Sequence, residues 1–171
     1  MEFARDIRNP IGVKLGPTTR TEDALALADV LDPDHVPGRL TFITRMGTDR
    51  VREALPPLVR AIRGSGHPVV WVCDPMHGNT FEAVSGHKTR SYTDVMDEVT
   101  GFFEVMRSLD EHPGGLHVEL TGDDVTECVG GTAGITEDGL GLRYETACDP
   151  RLNRVQSLEL AFAVAEMLVT R

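Results

Sequence analysis

The sequence predicts an α/β fold made of four strand–helix units with parallel strands. Three observations predict it. Short apolar runs alternate four times with longer segments of helical periodicity. The third run, residues 69–73 (Val-Val-Trp-Val-Cys), is apolar almost throughout, as strands buried on both faces are. Finally, the four runs end at Lys14, Arg45, His77 and Glu119. The carboxyl ends of parallel strands are where such proteins gather their chemistry. Four units form either a small open sheet or half of a (β/α)8 barrel of the TIM type. Residues 1–171 are one domain on either reading. A half barrel leaves a hollow face and two unpaired edges exposed, and those edges favour association with another half.

The elements follow in order. The first strand is Ile11–Leu15, ended by Gly16-Pro17. Thr21 is the expected N-cap of the next helix, with Glu22 and Asp23 favourable in its first turn. Ala24, Leu25, Leu27, Ala28 and Leu31 form its apolar stripe. The second strand is Leu40–Thr44, and a helix is expected over residues 49–62. Pro56-Pro57 falls inside that helix and predicts a kink or restart, because proline lacks the amide donor and crowds the preceding turn. After the third strand, a polar loop is expected to about residue 91, then a helix over residues 92–109 with Phe102, Phe103, Val105, Met106 and Leu109 on its core face. The fourth strand is placed at residues 116–120. Residues 121–152 lack periodicity, the signature of a functional loop or of short helices. The last helix spans Arg154–Val169, opened by an Asn153/Gln156 capping box, with Val155, Leu158, Phe162, Ala165 and Leu168 toward the core.

A formal net charge of -10 argues against nonspecific nucleic-acid binding. No apolar stretch approaches membrane-spanning length, and residues 1–6 carry no signal-peptide run. Cys73, Cys128 and Cys148 show neither a CxxC pattern nor disulfide density, which points to a reducing, cytoplasmic setting.

His77, Glu119 and Asp149 are the candidate metal ligands. One imidazole and two carboxylates suit Mn²⁺, Co²⁺, Fe²⁺ or Zn²⁺. The competing reading is a capping Asp149, a turn-bound His77 and a solvated Glu119. Lys14 and Arg45 are candidate anion groups, a point charge beside a planar fork. A rim salt bridge with nearby acids is the alternative. Lys14 lies between Gly12 and Gly16 on one strand face, which leaves room for a ligand. Lys88 and Arg90, in the loop after the third strand, could reach a second phosphate or be solvated charges. Asp74 could orient the His77 ring or cap its own loop. His117 shares the face of Glu119, as a core histidine or as support for the site. Cys73 and Cys148 are expected to be small buried residues.

Six stretches carry a family resemblance: Gly12-Val13-Lys14-Leu15-Gly16-Pro17, Thr44-Arg45-Met46-Gly47, Cys73-Asp74-Pro75-Met76-His77-Gly78-Asn79-Thr80, Gly114-Gly115-Leu116-His117-Val118-Glu119, Thr126-Glu127-Cys128-Val129-Gly130-Gly131, and Tyr144-Glu145-Thr146-Ala147-Cys148-Asp149-Pro150-Arg151-Leu152-Asn153. In this order they resemble the carboxy-terminal half of type II 3-deoxy-D-arabino-heptulosonate 7-phosphate (DAHP) synthase, over essentially the whole chain. The resemblance implies a metal-dependent (β/α)8 enzyme that condenses phosphoenolpyruvate with erythrose 4-phosphate in the shikimate pathway. It implies that Lys14 and Arg45 bind phosphoenolpyruvate and that His77, Glu119 and Asp149 hold the metal, Mn²⁺ or Co²⁺ foremost. In the implied reaction the enol carbon attacks the aldehyde, water adds at the neighbouring carbon, and phosphate leaves. The family's amino-terminal half, with a cysteine ligand, further arginines and much of the aldose-phosphate site, has no counterpart here. Two expectations follow: a homodimer that completes the barrel, acting on this or a related enol–aldehyde pair, or a non-catalytic or split-synthase subunit that needs a separate amino-terminal-half partner.

Overall fold

The computed structural model describes residues 2–169; Met1, Thr170 and Arg171 of the expected domain lie outside the described residues. A short helix α1 (Glu2–Arg5) leads into β1 (Ile11–Leu15), α2 (Thr21–Leu31), β2 (Leu40–Thr44), α3 (Val51–Ser65) and β3 (Val70–Cys73). An inserted hairpin, β4 (Thr80–Glu82) with β5 (Lys88–Arg90), precedes α4 (Tyr92–Ser108). The chain then gives β6 (Gly115–Leu116), a 3₁₀ turn (Glu137–Leu142) and α5 (Arg154–Val169).

Strands β1, β2, β3 and β6 form one parallel sheet in that order. Strand order therefore follows chain order, and successive helices pack side by side: α2 on α3, α3 on α4, α4 on α5. Right-handed crossovers that never reverse direction put their helices on one face of a sheet. The two faces differ accordingly. Leu15, Leu40, Phe42, Trp71 and Cys73 are buried in one core with Ala24, Ala28, Leu55, Leu58, Ile62, Val99, Phe102 and Met106 of the helices. On the other face Gly12 and Lys14 are exposed, and Thr41, Ile43, Val70 and Val72 are only half-buried. This is an α/β architecture with a four-stranded parallel sheet, consistent with part of a TIM-like fold.

Several local expectations need correction. Thr21 is the first helical residue and not the cap; Arg20 occupies the N-cap, and its side chain does not cap the helix amides but donates to Asp23. Helix α3 runs as a single element through Pro56 and Pro57. Tertiary burial of Val51, Leu55, Leu58, Val59 and Ile62 offsets the two amide donors the prolines lack. The expected polar loop before residue 91 contains the β4–β5 hairpin, turned at Ser85-Gly86 with Gly86 at φ 80. The fourth strand is shorter than residues 116–120. It pairs with β3 only at Gly115 and Leu116, because β3 ends where Asp74-Pro75 turns away. Beyond His117 the chain finds a different neighbour, a bridge from Leu120 to Leu152.

The last helix opens as expected. The Asn153 amide donates to Gln156 Oε1 at 3.1 Å, and the Gln156 amide to Asn153 Oδ1 at 3.0 Å. Its core face is not the expected one. Gln156 and Leu160 are buried, whereas Leu158, Phe162, Ala165 and Leu168 are exposed. The helix is apolar nearly all round, so its sequence period cannot select a face. The Gln156 amide selects it by donating to the carbonyls of Cys128 and Gly130.

Candidate metal and anion site

The site forms where the sheet's carboxyl ends meet the irregular segment. Asp74, the first residue after β3, is fully buried. Its Oδ1 accepts the amides of Met76 (3.1 Å) and His77 (3.2 Å), folding the Asp-Pro-Met-His turn back on itself. The same carboxylate lies 2.8 and 2.9 Å from His77 Nδ1 and takes Lys14 Nζ at 2.6 Å. Burial pushes the Asp74 carboxyl up, but the bonds from Lys14 and His77 outweigh it and hold it below its usual range. Asp74 therefore stays ionised and fixes the proton of His77 on Nδ1. The free Nε2 is left facing away from the turn, the orientation in which an imidazole serves as a ligand.

That Nε2 faces two carboxylates, Glu119 Oε1 at 3.4 Å and Asp149 Oδ2 at 3.7 Å. One ligand atom from each of the three residues lies within 4.8 Å of the others. Glu119 and Asp149 are distant in sequence and are brought together by the Leu120–Leu152 bridge. The Leu152 amide donates to the Glu119 carbonyl and the Thr121 amide to the Leu152 carbonyl, both at 2.9 Å. One nitrogen and two anionic oxygens around a small gap fit a borderline or hard divalent ion.

Two cations brace these carboxylates. Arg90 is fully buried. It donates to Glu119 Oε2 (2.7 Å), to Thr80 Oγ1 (3.0 Å) and to the Pro150 carbonyl. Its Nη2 has no hydrogen-bond partner among the described residues and lies 3.8 Å from Asp149 Oδ1. Lys88, half exposed, contacts Asp149 and holds its carboxyl below the usual range. Both cations come from the hairpin strand β5.

The anion candidates share the open face of the sheet. In the β1–β2 register Lys14 is opposite Ile43, and Arg45 follows two residues later on the same side. The Arg45 guanidinium lies over Gly16 of the neighbouring β1 end, within 4 Å of where a Cβ there would sit. Arg45 is exposed, and among the described residues its guanidinium has no carboxylate partner. Lys14 Nζ is 3.4 Å from His77 Nδ1, which places the anion group against the metal candidates.

Other expectations divide. His117 is exposed with its ring 6.4 Å from that of His77, so it is not a core histidine. Cys73 is buried and its thiol is pushed well up by that burial, whereas Cys148 is exposed and departs from the expected burial. Cys148 rides on a surface turn whose amide bonds Thr146 Oγ1.

Sequence reasoning missed the supports. Glu127 is fully buried and takes Arg151 Nε (2.9 Å) and Nη2 (2.7 Å) with the amides of Glu145, Thr146 and Arg151. It thereby anchors the turn that carries Asp149. Glu98 of α4 and Asn79 tie the loops after β2 and β3 together. The hairpin had a usable signal in Thr80-Phe81-Glu82 and Lys88-Thr89-Arg90 flanking Ser85-Gly86. The buried acids had none, because burial is a tertiary property.

Residues 1–165 match the model of the class-II DAHP synthetase family. A phospho-2-dehydro-3-deoxyheptonate aldolase of Streptomyces coelicolor is 66% identical over 167 residues, which cover 98% of this chain and 37% of that protein. One from Mycolicibacterium smegmatis is 60% identical over 166 residues, 97% of this chain and 36% of that protein. One from Streptomyces lividans is 66% identical over 139 residues, 80% of this chain and 93% of that protein. The chain thus spans a little over a third of the first two relatives.

Proposed function

We propose, for a chain that belongs to the class-II DAHP synthetase family, that it carries the metal- and enol-binding wall of a site for carbon–carbon bond formation. The reaction is the aldol-type condensation of phosphoenolpyruvate, or a pyruvate-like enol, with an aldehyde such as erythrose 4-phosphate. The observation that carries this reading is the convergence of His77 Nε2, Glu119 and Asp149 next to Lys14. His77, Glu119 and Asp149 would hold the metal, with Mn²⁺ or Co²⁺ preferred and Fe²⁺ or Zn²⁺ compatible with the donors. When bound, the ion supplies Lewis acidity to an aldehyde oxygen.

The chain's own residues do the rest. Lys14, anchored by buried Asp74, presents a fixed point charge to a phosphate or carboxylate. Arg45, without a carboxylate partner among the described residues, offers its planar fork to the same anion. Asp74 keeps the His77 proton on Nδ1. Arg90 and Lys88 keep Glu119 and Asp149 aimed at the gap. Lys88, half exposed, also has the reach for a second phosphate; Arg90, enclosed, enters as a brace of both carboxylates.

The finer architecture belongs to the same reading. A sheet with helices on one face, open strands β1 and β6 at its edges, and an exposed apolar stripe at Leu158, Phe162 and Leu168 on α5 support the reading of half a (β/α)8 barrel that further units complete. A second copy of the chain would supply them under two-fold symmetry. A separate amino-terminal-half partner is the alternative. Sedimentation of the purified chain decides: dimer supports the first arrangement, and compact monomer refutes it.

The functional test incubates the chain and its His77→Ala variant with Mn²⁺ or Co²⁺, phosphoenolpyruvate and a panel of aldehydes, following phosphate release and product mass. Metal-dependent release lost in the variant is the expected result. Metal content unchanged in His77→Ala would overturn the site.

A further inference from the structure

The loops that follow β2 and β3 carry Arg45 and His77, and they touch through their backbones. A Cβ at Gly78 would sit 2.4 Å from the Gly47 nitrogen, and one at Gly47 would sit 3.1 Å from the Gly78 oxygen. Approach this close needs glycine on both sides, and Gly47 also has φ 83. Side chains complete the join. Asn79 Oδ1 accepts the Thr48 amide at 2.9 Å, and its Nδ2 donates to the Pro75 carbonyl at 2.8 Å. Beneath both loops lies Glu98 of α4, fully buried, with no arginine, lysine or histidine paired to it among the described residues. Its Oε1 accepts the Met46 amide and its Oε2 accepts Asn79 Nδ2, each at 2.7 Å.

An acid in a core usually faces a cation, because desolvating a lone carboxylate is costly. This one is directed instead at two uncharged donors, one from each loop. We infer that Glu98 is a positioning residue whose carboxylate, acting through Asn79, locks the Arg45 loop and the His77 loop into one rigid body, so that the metal and anion subsites keep a fixed separation. Glu98 touches none of the candidate ligands, so its influence on them passes through Asn79 and the two loops it joins. The functional consequence rests on the reading proposed above, whereas the lock itself does not depend on it.

The test separates the two. Glu98→Gln keeps the shape but replaces one acceptor with an NH2, which must confront either the Met46 amide or Asn79 Nδ2. Amide hydrogen exchange is measured across the parent and this variant, and Mn²⁺ affinity is measured by calorimetry on both. The expected result is exchange about ten-fold faster at Met46, Thr48 and the residue 76–79 turn, with β1 and α5 unchanged, and Mn²⁺ affinity about ten-fold weaker, the low end of what loss of supporting contacts costs a metal site. Exchange unchanged at Met46 and Thr48, or faster everywhere with Mn²⁺ affinity intact, overturns the lock. A parent that binds no Mn²⁺ counts against the proposed metal site instead, and exchange alone then decides the lock.

Discussion

Replacing Asp74 with asparagine tests the centre of the site with a change of a single atom. Asp74 Oδ1 is engaged by the Met76 and His77 amides, so the asparagine carbonyl will keep that position. The NH2 then takes the place of Oδ2 and points at Lys14 Nζ and His77 Nδ1, at 2.6 and 2.8 Å in the parent. Two consequences follow from donor facing donor. His77 Nδ1 keeps one acceptor, the carbonyl 2.9 Å away, but now also faces an NH2 where the parent has an oxygen at 2.8 Å; this favours the tautomer with the proton on Nε2, which turns the ligand lone pair away from Glu119 and Asp149. Lys14 loses its anionic anchor and with it a fixed position. Supporting hydrogen bonds of this kind are worth about 10–100-fold in metal affinity, or about 1.4–2.7 kcal/mol. Titration of Mn²⁺ into parent, Asp74→Asn and an exposed control, Asp34→Asn, reads the effect, with phosphoenolpyruvate binding measured in parallel. Both affinities are expected to fall in Asp74→Asn and neither in the control. A Mn²⁺ affinity within about two-fold of the parent's would refute the tautomer argument.

Three further outcomes are expected. Burial raises the Glu98 carboxyl from 4.5 to about 7, against the pull of the Met46 amide and Asn79. The folded protein therefore holds a proton there that the unfolded chain has released between those values, and stability falls as pH rises through that window, by about 3 kcal/mol for this group; urea unfolding at pH 5 and pH 8 should shift the gap between parent and Glu98→Gln in favour of glutamine by about that amount, and a gap independent of pH would contradict it. Gly78→Ala drives a methyl against the Gly47 backbone, which cannot swing aside, so a loss of about 3 kcal/mol and a Tm lower by roughly 6–12 °C are expected, while Gly64→Ala, with nothing within 4 Å, should leave Tm unchanged or raised. Arg151→Ala strands buried Glu127 and should cost about 2 kcal/mol by chemical denaturation, below the usual figure for a buried pair because Arg151 is partly solvated, and should weaken Mn²⁺ binding by loosening the Asp149 turn.

Much of the sheet was legible because strand and helix periods differ and parallel strands are bounded by glycine and proline. β1 and β2 were placed to the residue for that reason. The ends of the strands also marked Lys14, Arg45, His77 and Glu119 as neighbours, since parallel order delivers them to one rim. Other features depend on contacts the sequence does not encode locally. The face of α5 was misassigned because Leu158 and Phe162 are as apolar as Leu160, and only the burial of Gln156 against two carbonyls breaks the tie. In sequence Arg90 reads as a solvated loop charge or as a group within reach of a second phosphate; its burial on β5 removes the solvated reading. Glu98 and Glu127 resemble ordinary surface acids in sequence, and their roles exist only once α4 and the long segment have docked.

The Leu120–Leu152 bridge has a thermodynamic corollary. By tying the two carboxylate-bearing stretches together with two main-chain hydrogen bonds, it prepays most of the entropy that gathering a chelate would otherwise demand. Occupancy of the centre should therefore report on the order of residues 121–152, and saturating divalent ion should shield that whole stretch from proteolysis, although almost none of it would touch the ion.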